Sequence, residues 1–422
     1  MRTVSFQSLF SFYLGCVALL FCVAPKSVTL LIVGMLFFVI FGYIKKKLVF
    51  SLSRPMIFLA LLYIAYLIGV AFTHDQALAS RYVENKLSFL VFPLLFSFRS
   101  KEPLTLSGPL IGLSLGIVAA SVIGFINTLD CDEWVYGPVG CYTGSIISPI
   151  HHPTYFCVFI LVALSGNWIS YSRKEKGFLL WWLLPFTLFA LLMYVLCFSL
   201  AGLLFAMILF VVLAGIFVYR KFGRRVLIIT CCCSPLLFIA IFSIPRLKLD
   251  IINTKNAVSA YMSDPVKFVS SDSGSNNGDD LRLVMWTVAA QKFMENPLGV
   301  GTGNVDAHLR GRLSTYGQHG LAGKEEVDNP HNQYLQTGLE IGVEGLLILV
   351  LIITSSIRFA WKHKNWLLLI LMSSLAFNCL FESMLQRQSG IVFYSFWMCL
   401  LIAYSRSVPG SGATPVNLQS TP

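Results

Sequence analysis

Apolar stretches long enough to cross a lipid bilayer recur along nearly the whole of this 422-residue chain. A bilayer core takes roughly 17 to 25 helical residues. It offers the backbone no hydrogen-bonding partner, so each spanning segment must satisfy its own N–H and C=O groups. Twelve stretches can be drawn, near 9–24, 28–44, 56–73, 87–98, 108–127, 154–171, 178–197, 200–219, 226–244, 337–357, 366–384 and 388–404. The fourth is short and reads as tilted or as starting earlier. Composition agrees, with 56% hydrophobic and 12% charged residues, where a soluble domain carries about 25% charged. The expected fold is an all-α polytopic membrane bundle of about twelve helices. No A-x-A-like cleavage site follows the first stretch, so no removable signal peptide is expected.

Lysine and arginine set the orientation, because cytoplasmic loops hold an excess of them. With the N-terminus inside, 18 of the 31 fall in inside loops and the tail, among them Lys45–Lys47, Arg173, Lys174, Arg220, Lys221, Arg224 and Arg225. The short outside loops hold only Lys26, Arg81, Lys86 and Arg387. The rest lie in one long loop, 245–336, which is too long to vote. The reading is helices one to nine over 1–244, an outside loop at 245–336, helices ten to twelve over 337–404 and a cytoplasmic tail at 405–422. The net charge of +11 is mostly this asymmetry and carries no nucleic-acid footprint.

Nine of the eleven cysteines fall inside the apolar stretches, where cysteine behaves as a small apolar residue. Cys131 and Cys141 share an outside loop. They can form a disulfide in an oxidising compartment, and can equally stay free. No paired-cysteine or His-Glu-x-x-His metal spacing occurs. The run "SSDSGSNNGDD" imitates a calcium loop, but Asn277 stands where the EF-hand glycine belongs, so a solvated loop is expected and no metal.

After that run, Asp279 or Asp280 can cap a helix whose apolar positions Leu281, Met285, Ala289 and Phe293 recur at helical spacing. It should end before Pro297. Gly299, Gly301 and Gly303 follow a helix rather than a strand, which marks a tight turn and not a dinucleotide fingerprint. Then comes "DNPHNQYLQTGLEIGVEG". Asp328 or Asn329 can cap and Pro330 suits a first helical turn. His331 would then sit among free N–H groups at the positive end of a helix, where an anion is welcome and a protonated imidazole is not. A neutral histidine beside an anion site suits a general base. A hydrogen-bonding histidine at a helix start is the other reading of the same spacing.

Taken together, "RLVMWTVAAQKFMENPLGVGTGN" and "DNPHNQYLQTGLEIGVEGLL" resemble the core signature of the O-antigen ligase and O-antigen polymerase superfamily. "ENKLSFLVFPLLF", "HPTYF" and "ESMLQRQSGIVFYSFW" resemble the branch of it found in Bacteroidota. The resemblance implies a membrane enzyme that takes a glycan from an undecaprenyl-diphosphate carrier at the periplasmic face of the bacterial inner membrane. A ligase passes it to lipid A–core, and a polymerase passes it to another repeat unit. It further implies a metal-independent, inverting transfer with no cofactor, His331 as the base for the acceptor hydroxyl and Arg282 on the carrier diphosphate. A guanidinium fork suits that anion.

Further cations on the outer face, Arg81, Lys86 and Arg387, are candidates for the same diphosphate, with interfacial snorkelling as the alternative for the first two and an ion pair with Glu382 for Arg387. Many family members carry an arginine where this chain reads "FSLAG", so Leu200 replaces it and Arg387 is the candidate substitute. His151 and His152 can touch a sugar or simply start a helix. Glu340, an intramembrane carboxylate, can pair with an arginine inside the bundle. A transporter of lipid-linked glycan also fits the helix count, but would call for charges at mid-membrane depth within the spans.

Overall fold

The computed structural model describes residues 6–407 other than 74, 101, 133–139, 176, 243–244, 272–277 and 324–328, and the backbone alone at 99, 222–242, 245–251 and 278–279. The expected cap Asp328 and the tail beyond 407 therefore lie outside the described residues.

The chain opens with α1 (Phe6–Val23), α2 (Val28–Ile44) and α3 (Arg54–Gly69), followed by two shorter helices, α4 (Gln76–Lys86) and α5 (Ser88–Ser97). Then come α6 (Ser107–Thr128), α7 (Pro153–Ser172), α8 (Leu180–Leu196) and the run α9 (Leu200–Phe242). A small antiparallel ribbon, β1 (Leu48–Phe50) with β2 (Phe98–Ser100), pairs Val49 with Arg99. The insertion supplies α10 (Pro245–Ser263), α11 (Pro265–Ser270), α12 (Gly278–Glu295), α13 (Val305–Thr315) and α14 (His319–Ala322). The chain ends in α15 (Gln333–Lys362), α16 (Trp366–Asn378) and α17 (Gln388–Ser407).

Eight of the twelve expected spans lie on helices long and apolar enough to cross a membrane. Those at 178–197 and 366–384 are the shorter apolar helices α8 and α16, and the one at 87–98 is the ten-residue α5. The stretch 226–244 falls outside the residues with described side chains. Straight, α9 would measure about 65 Å. Leu200 and Leu204 near its start line the same cavity as Asn253 and Val258 of α10.

Two features of the bundle matter for the site. The first is close helix contact: Gly108, Gly112 and Gly116 repeat at four-residue spacing on α6, and a Cβ on Gly112 would stand 2.0 Å from the Gly15 carbonyl of α1. Small residues let backbones meet where lipid supplies no hydrophobic drive for association. Large apolar side chains instead face outward, as at Leu30, Trp181 and Leu188, where only lipid tails can cover them.

The second is a break in α15. Ile341 (φ −130°, ψ 22°) and Gly342 (φ +77°) leave the helix, which strands carbonyls on one side and an N–H on the other. The glycine turn fills the gap. Val300 N–H donates to Leu339 O at 2.8 Å, Gly301 N–H to Glu340 O at 3.1 Å, and Val343 N–H to Pro297 O at 2.9 Å. Thr302 ties the same turn to the end of α3 through the Tyr66 carbonyl at 2.7 Å. Leu281, Val284, Met285 and Val288 of α12 pack with Leu309 and Leu313 of α13 and with Leu339 of α15 in a second core. The helix expected near 280–295 thus rests on the short upper segment of α15.

Gly342 is the residue this joint least tolerates losing. Its φ is positive, and a Cβ would meet the Leu298 carbonyl at 2.6 Å. Gly342→Ala should cost about 2 kcal/mol or more, read as a lower unfolding temperature of the purified protein in detergent, whereas Gly311→Ala, mid-helix with open space around it, should leave that temperature unchanged or raise it.

Candidate functional site

Helix α15 starts later than the sequence suggests. Its cap is Asn332, whose side-chain oxygen accepts from Tyr334 N–H (3.0 Å) and Leu335 N–H (3.1 Å). Gln333 N–H donates to Cys379 O and Gln336 N–H to Asn332 O. The first four N–H groups are therefore all taken, and the helix start offers none to an anion. His331 precedes the cap in left-handed backbone (φ +48°), pinned by its own N–H to Asn329 Oδ1 at 2.9 Å. Sequence reasoning placed it in the first turn, because Pro330 and Asn329 imitate a cap one turn too early.

What faces the imidazole is a carboxylate. His331 Nδ1 stands 3.6 Å from Glu382 Oε1, with 21% of the histidine side chain and 9% of the glutamate side chain exposed. Glu382 sits just past the end of α16, where its N–H donates to Asn378 O, and it accepts from Ser383 N–H at 3.2 Å. Burial pushes its carboxyl up, but His331, His152 and Arg282 outweigh that and hold it at about 2. In the sequence Glu382 offers itself only as a partner for Arg387. No such ion pair forms: Arg387 is exposed and Glu382 turns to His331.

Glu382 also belongs to the wall of a cavity of about 610 Å³, together with His152, Arg282, Trp286, Phe381 and Leu200. His331 flanks Glu382 and is not itself in that wall. His152 precedes α7, whose first residue is Pro153. Its Nδ1 is buried without a hydrogen-bond partner. Burial pulls the His152 pKa below the usual value; Glu382 opposes this and Arg387, Arg282 and His331 reinforce it. Arg282 extends from the first turns of α12.

Leu200, where the resemblance calls for an arginine, lines the same wall with an apolar side chain at the start of α9, two residues after Phe198 in left-handed backbone (φ +50°). Neither Arg387 nor Arg81, which is exposed on α4, lines this cavity. Among the described lining residues, Arg282 is the only arginine or lysine.

The remaining candidates are brought together elsewhere. Lys86 is fully buried, 2.9 Å from Gln386 Oε1 and over the rings of Tyr66 (4.6 Å) and Tyr82 (5.2 Å), so it is no interfacial snorkel. Gln386 in turn donates to Glu340 Oε2 at 2.8 Å, where Gln336 also donates at 3.1 Å. Glu340 is thus fully buried behind the break in α15, with amides as its hydrogen-bond partners where an arginine was expected. His151 is a core residue, bonded to Ser389 Oγ and the Phe21 and Cys22 carbonyls. Cys131 and Cys141 form a disulfide, with Cα atoms 5.7 Å apart.

Lys86 and Glu340 therefore form a buried joint, while Arg282, His152 and Glu382 converge on a cavity beside His331. The cavity combines a guanidinium, a carboxylate–imidazole pair and an apolar flank, an arrangement able to hold an amphipathic anion next to a proton acceptor. No sequence among the curated proteins matches the chain. Residues 185–350, which include Leu200, Arg282, His331 and Glu340, match a family model described as O-antigen ligase. Over that segment the chain is similar to the O-antigen ligase family, and its apolar helices are those of a multi-pass membrane protein.

Proposed function

We propose that this protein is an O-antigen ligase of the bacterial inner membrane, moving a glycan from an undecaprenyl-diphosphate carrier to lipid A–core at the periplasmic face. The observation that carries this reading is the His331–Glu382 pair at the edge of a cavity whose wall holds Arg282. The positive-inside asymmetry supports a periplasmic position for the insertion, and with it for this cavity.

The donor occupies the cavity, with its diphosphate on Arg282 and the first part of the prenyl chain against the apolar flank around Leu200 and Leu204. The acceptor approaches from the exposed side of His331. Its hydroxyl oxygen attacks the anomeric carbon from the face opposite the diphosphate. A C–O bond forms to the acceptor as the C–O bond to phosphate breaks, which inverts the carbon. The hydroxyl proton goes to His331 Nε2 and the bonding pair leaves with the diphosphate, whose charge Arg282 meets. Glu382, facing Nδ1, fixes the tautomer that leaves Nε2 as acceptor and steadies the imidazolium that forms. The reaction requires no metal in this scheme.

The polymerase reading shares every one of these steps and differs only in the acceptor. A deletion strain separates the two: loss of a ligase accumulates carrier-linked polymer, and loss of a polymerase leaves core bearing one repeat.

His331→Ala and His331→Gln should both lose about 10²–10⁴-fold or more in transfer of carrier-linked glycan to lipid A–core in purified membranes, with chelator without effect. Near-normal transfer by His331→Gln would reduce the residue to a hydrogen-bonding loop histidine. Arg282→Ala should weaken the reaction strongly, and Arg282→Lys should restore it only in part, because an ammonium lacks the planar fork.

Glu382 yields a pH test. Its folded pKa of about 2 lies below the ordinary 4.5. The ionised carboxylate therefore stabilises the fold fully above pH 4.5, and this contribution fades as pH falls from 4.5 towards 2. Wild type should unfold at a higher temperature than Glu382→Gln at pH 5, and the gap should close as pH falls across that window. A gap that stayed constant down to pH 2 would remove the charge argument.

A further inference from the structure

One corner of the cavity lies outside the diphosphate and base assignments. Arg282 and Trp286 stand four residues apart on α12 and both line the wall, so they occupy one face, one helical turn apart. Phe381 faces Trp286 with ring centroids 6.4 Å apart and planes at 45°. Phe381 immediately precedes Glu382. The aromatic pair thus bridges the residue assigned to the diphosphate and the carboxylate beside His331.

The indole also carries an unanswered polar atom. Trp286 Nε1 is buried and has no hydrogen-bond partner. An indole nitrogen can only donate, and buried donors in native proteins are nearly always matched by an acceptor. A prenyl chain has no acceptor to give. A diphosphate has several, but the guanidinium one turn away draws them more strongly. A sugar ring supplies both things this corner lacks: hydroxyl oxygens at its rim, and C–H groups that lie against the electron-rich face of an aromatic ring. His152 Nδ1, buried and unpartnered in the same wall, adds a second polar contact for such a rim.

We propose that Trp286 and Phe381 form the subsite for the sugar ring directly attached to the carrier diphosphate, with Trp286 Nε1 donating to one of its oxygens. This rests on the carrier reading above and deepens it. The ring then lies between Arg282 and Glu382, which sets its anomeric carbon between the leaving phosphate and the base. Recognition of that first sugar resides in Trp286, while the rest of the glycan extends beyond the cavity without contributing to selectivity there.

The test uses the full-length protein in detergent and two ligands, bare undecaprenyl diphosphate and the host's own carrier-linked glycan, with binding measured directly and not through turnover. Trp286→Phe keeps a ring and removes the N–H; Trp286→Leu removes both. Trp286→Phe should weaken the glycan-bearing carrier about fivefold or more, roughly the loss of one neutral hydrogen bond, and leave the bare carrier within about twofold of wild type. Trp286→Leu should widen that difference. Equal weakening of both ligands would assign Trp286 to the diphosphate or lipid and overturn the subsite. No change in either would overturn it as well. If wild type bound neither ligand, the carrier reading itself would fall and the subsite with it, whereas failure of discrimination in a protein that binds both leaves that reading standing.

Discussion

The interrupted α15 is the constraint on which the rest of the structure depends. A helix that breaks inside an apolar bundle exposes peptide groups that cost several kcal/mol each if left in hydrocarbon. Here the stranded groups at Leu339, Glu340 and Val343 are met by the turn at 297–301. That turn follows directly on α12, so satisfying the break fixes where the end of α12 lies, and with it the helix that carries Arg282 and Trp286. The same upper segment of α15 is preceded by His331 and holds the 379–386 loop through Gln333, which donates its N–H to Cys379 O and accepts from Leu385 N–H. That loop presents Glu382. One backbone repair therefore sets cation, aromatic ring, imidazole and carboxylate relative to one another.

The cavity is unusual in how little positive charge it holds. Leu200 takes the place where the family resemblance calls for a second arginine, and no other arginine or lysine among the described lining residues fills it. On the proposed reading, a single guanidinium facing a diphosphate shares the task with neutral donors. His152 and Trp286 are the side chains in this wall whose buried nitrogens have no partner. Burial and the nearby arginines keep His152 below its usual pKa, so at neutral pH it contributes a dipole and not a charge. On that reading recognition shifts from charge towards shape and hydrogen bonding, and the apolar Leu200 side chain suits a prenyl chain at that edge.

The sequence made the architecture legible because hydropathy is a local property. Each apolar run reports its own length, and eight of those drawn lie on helices that can span. Periodicity at Leu281, Met285 and Ala289 likewise marked a helix, and these side chains are buried. Local signals failed where non-local bonds decided the outcome. Pro330 and Asn329 looked like a helix start, yet Asn332 caps, because Cys379 and Leu380 across the bundle receive Gln333 N–H and Asn332 Nδ2. Glu382 had no pattern around it that pointed to His331, 51 positions earlier in the chain. Lys86 and Glu340 looked like independent candidates, since nothing in the sequence shows that Gln386 stands between them.

That buried chain from Lys86 through Gln386 to Glu340 bears on the transporter alternative, which would call for charged groups along a pathway. Both charges are fully buried and face each other through one amide, with a second amide from Gln336 and the Gly303 N–H, 3.4 Å away, on the same carboxylate. Removing either charge would leave the other buried and uncompensated, which is far costlier than never having built the pair. Such a pair commits its elements to a single arrangement, tying the end of α4 and the 379–386 loop to the upper edge of the α15 break. A pathway needs two arrangements of comparable energy. The network ties the loop that carries Glu382 to the break in α15, which accords with the proposed enzyme, whose substrates would move while its reacting groups stay fixed.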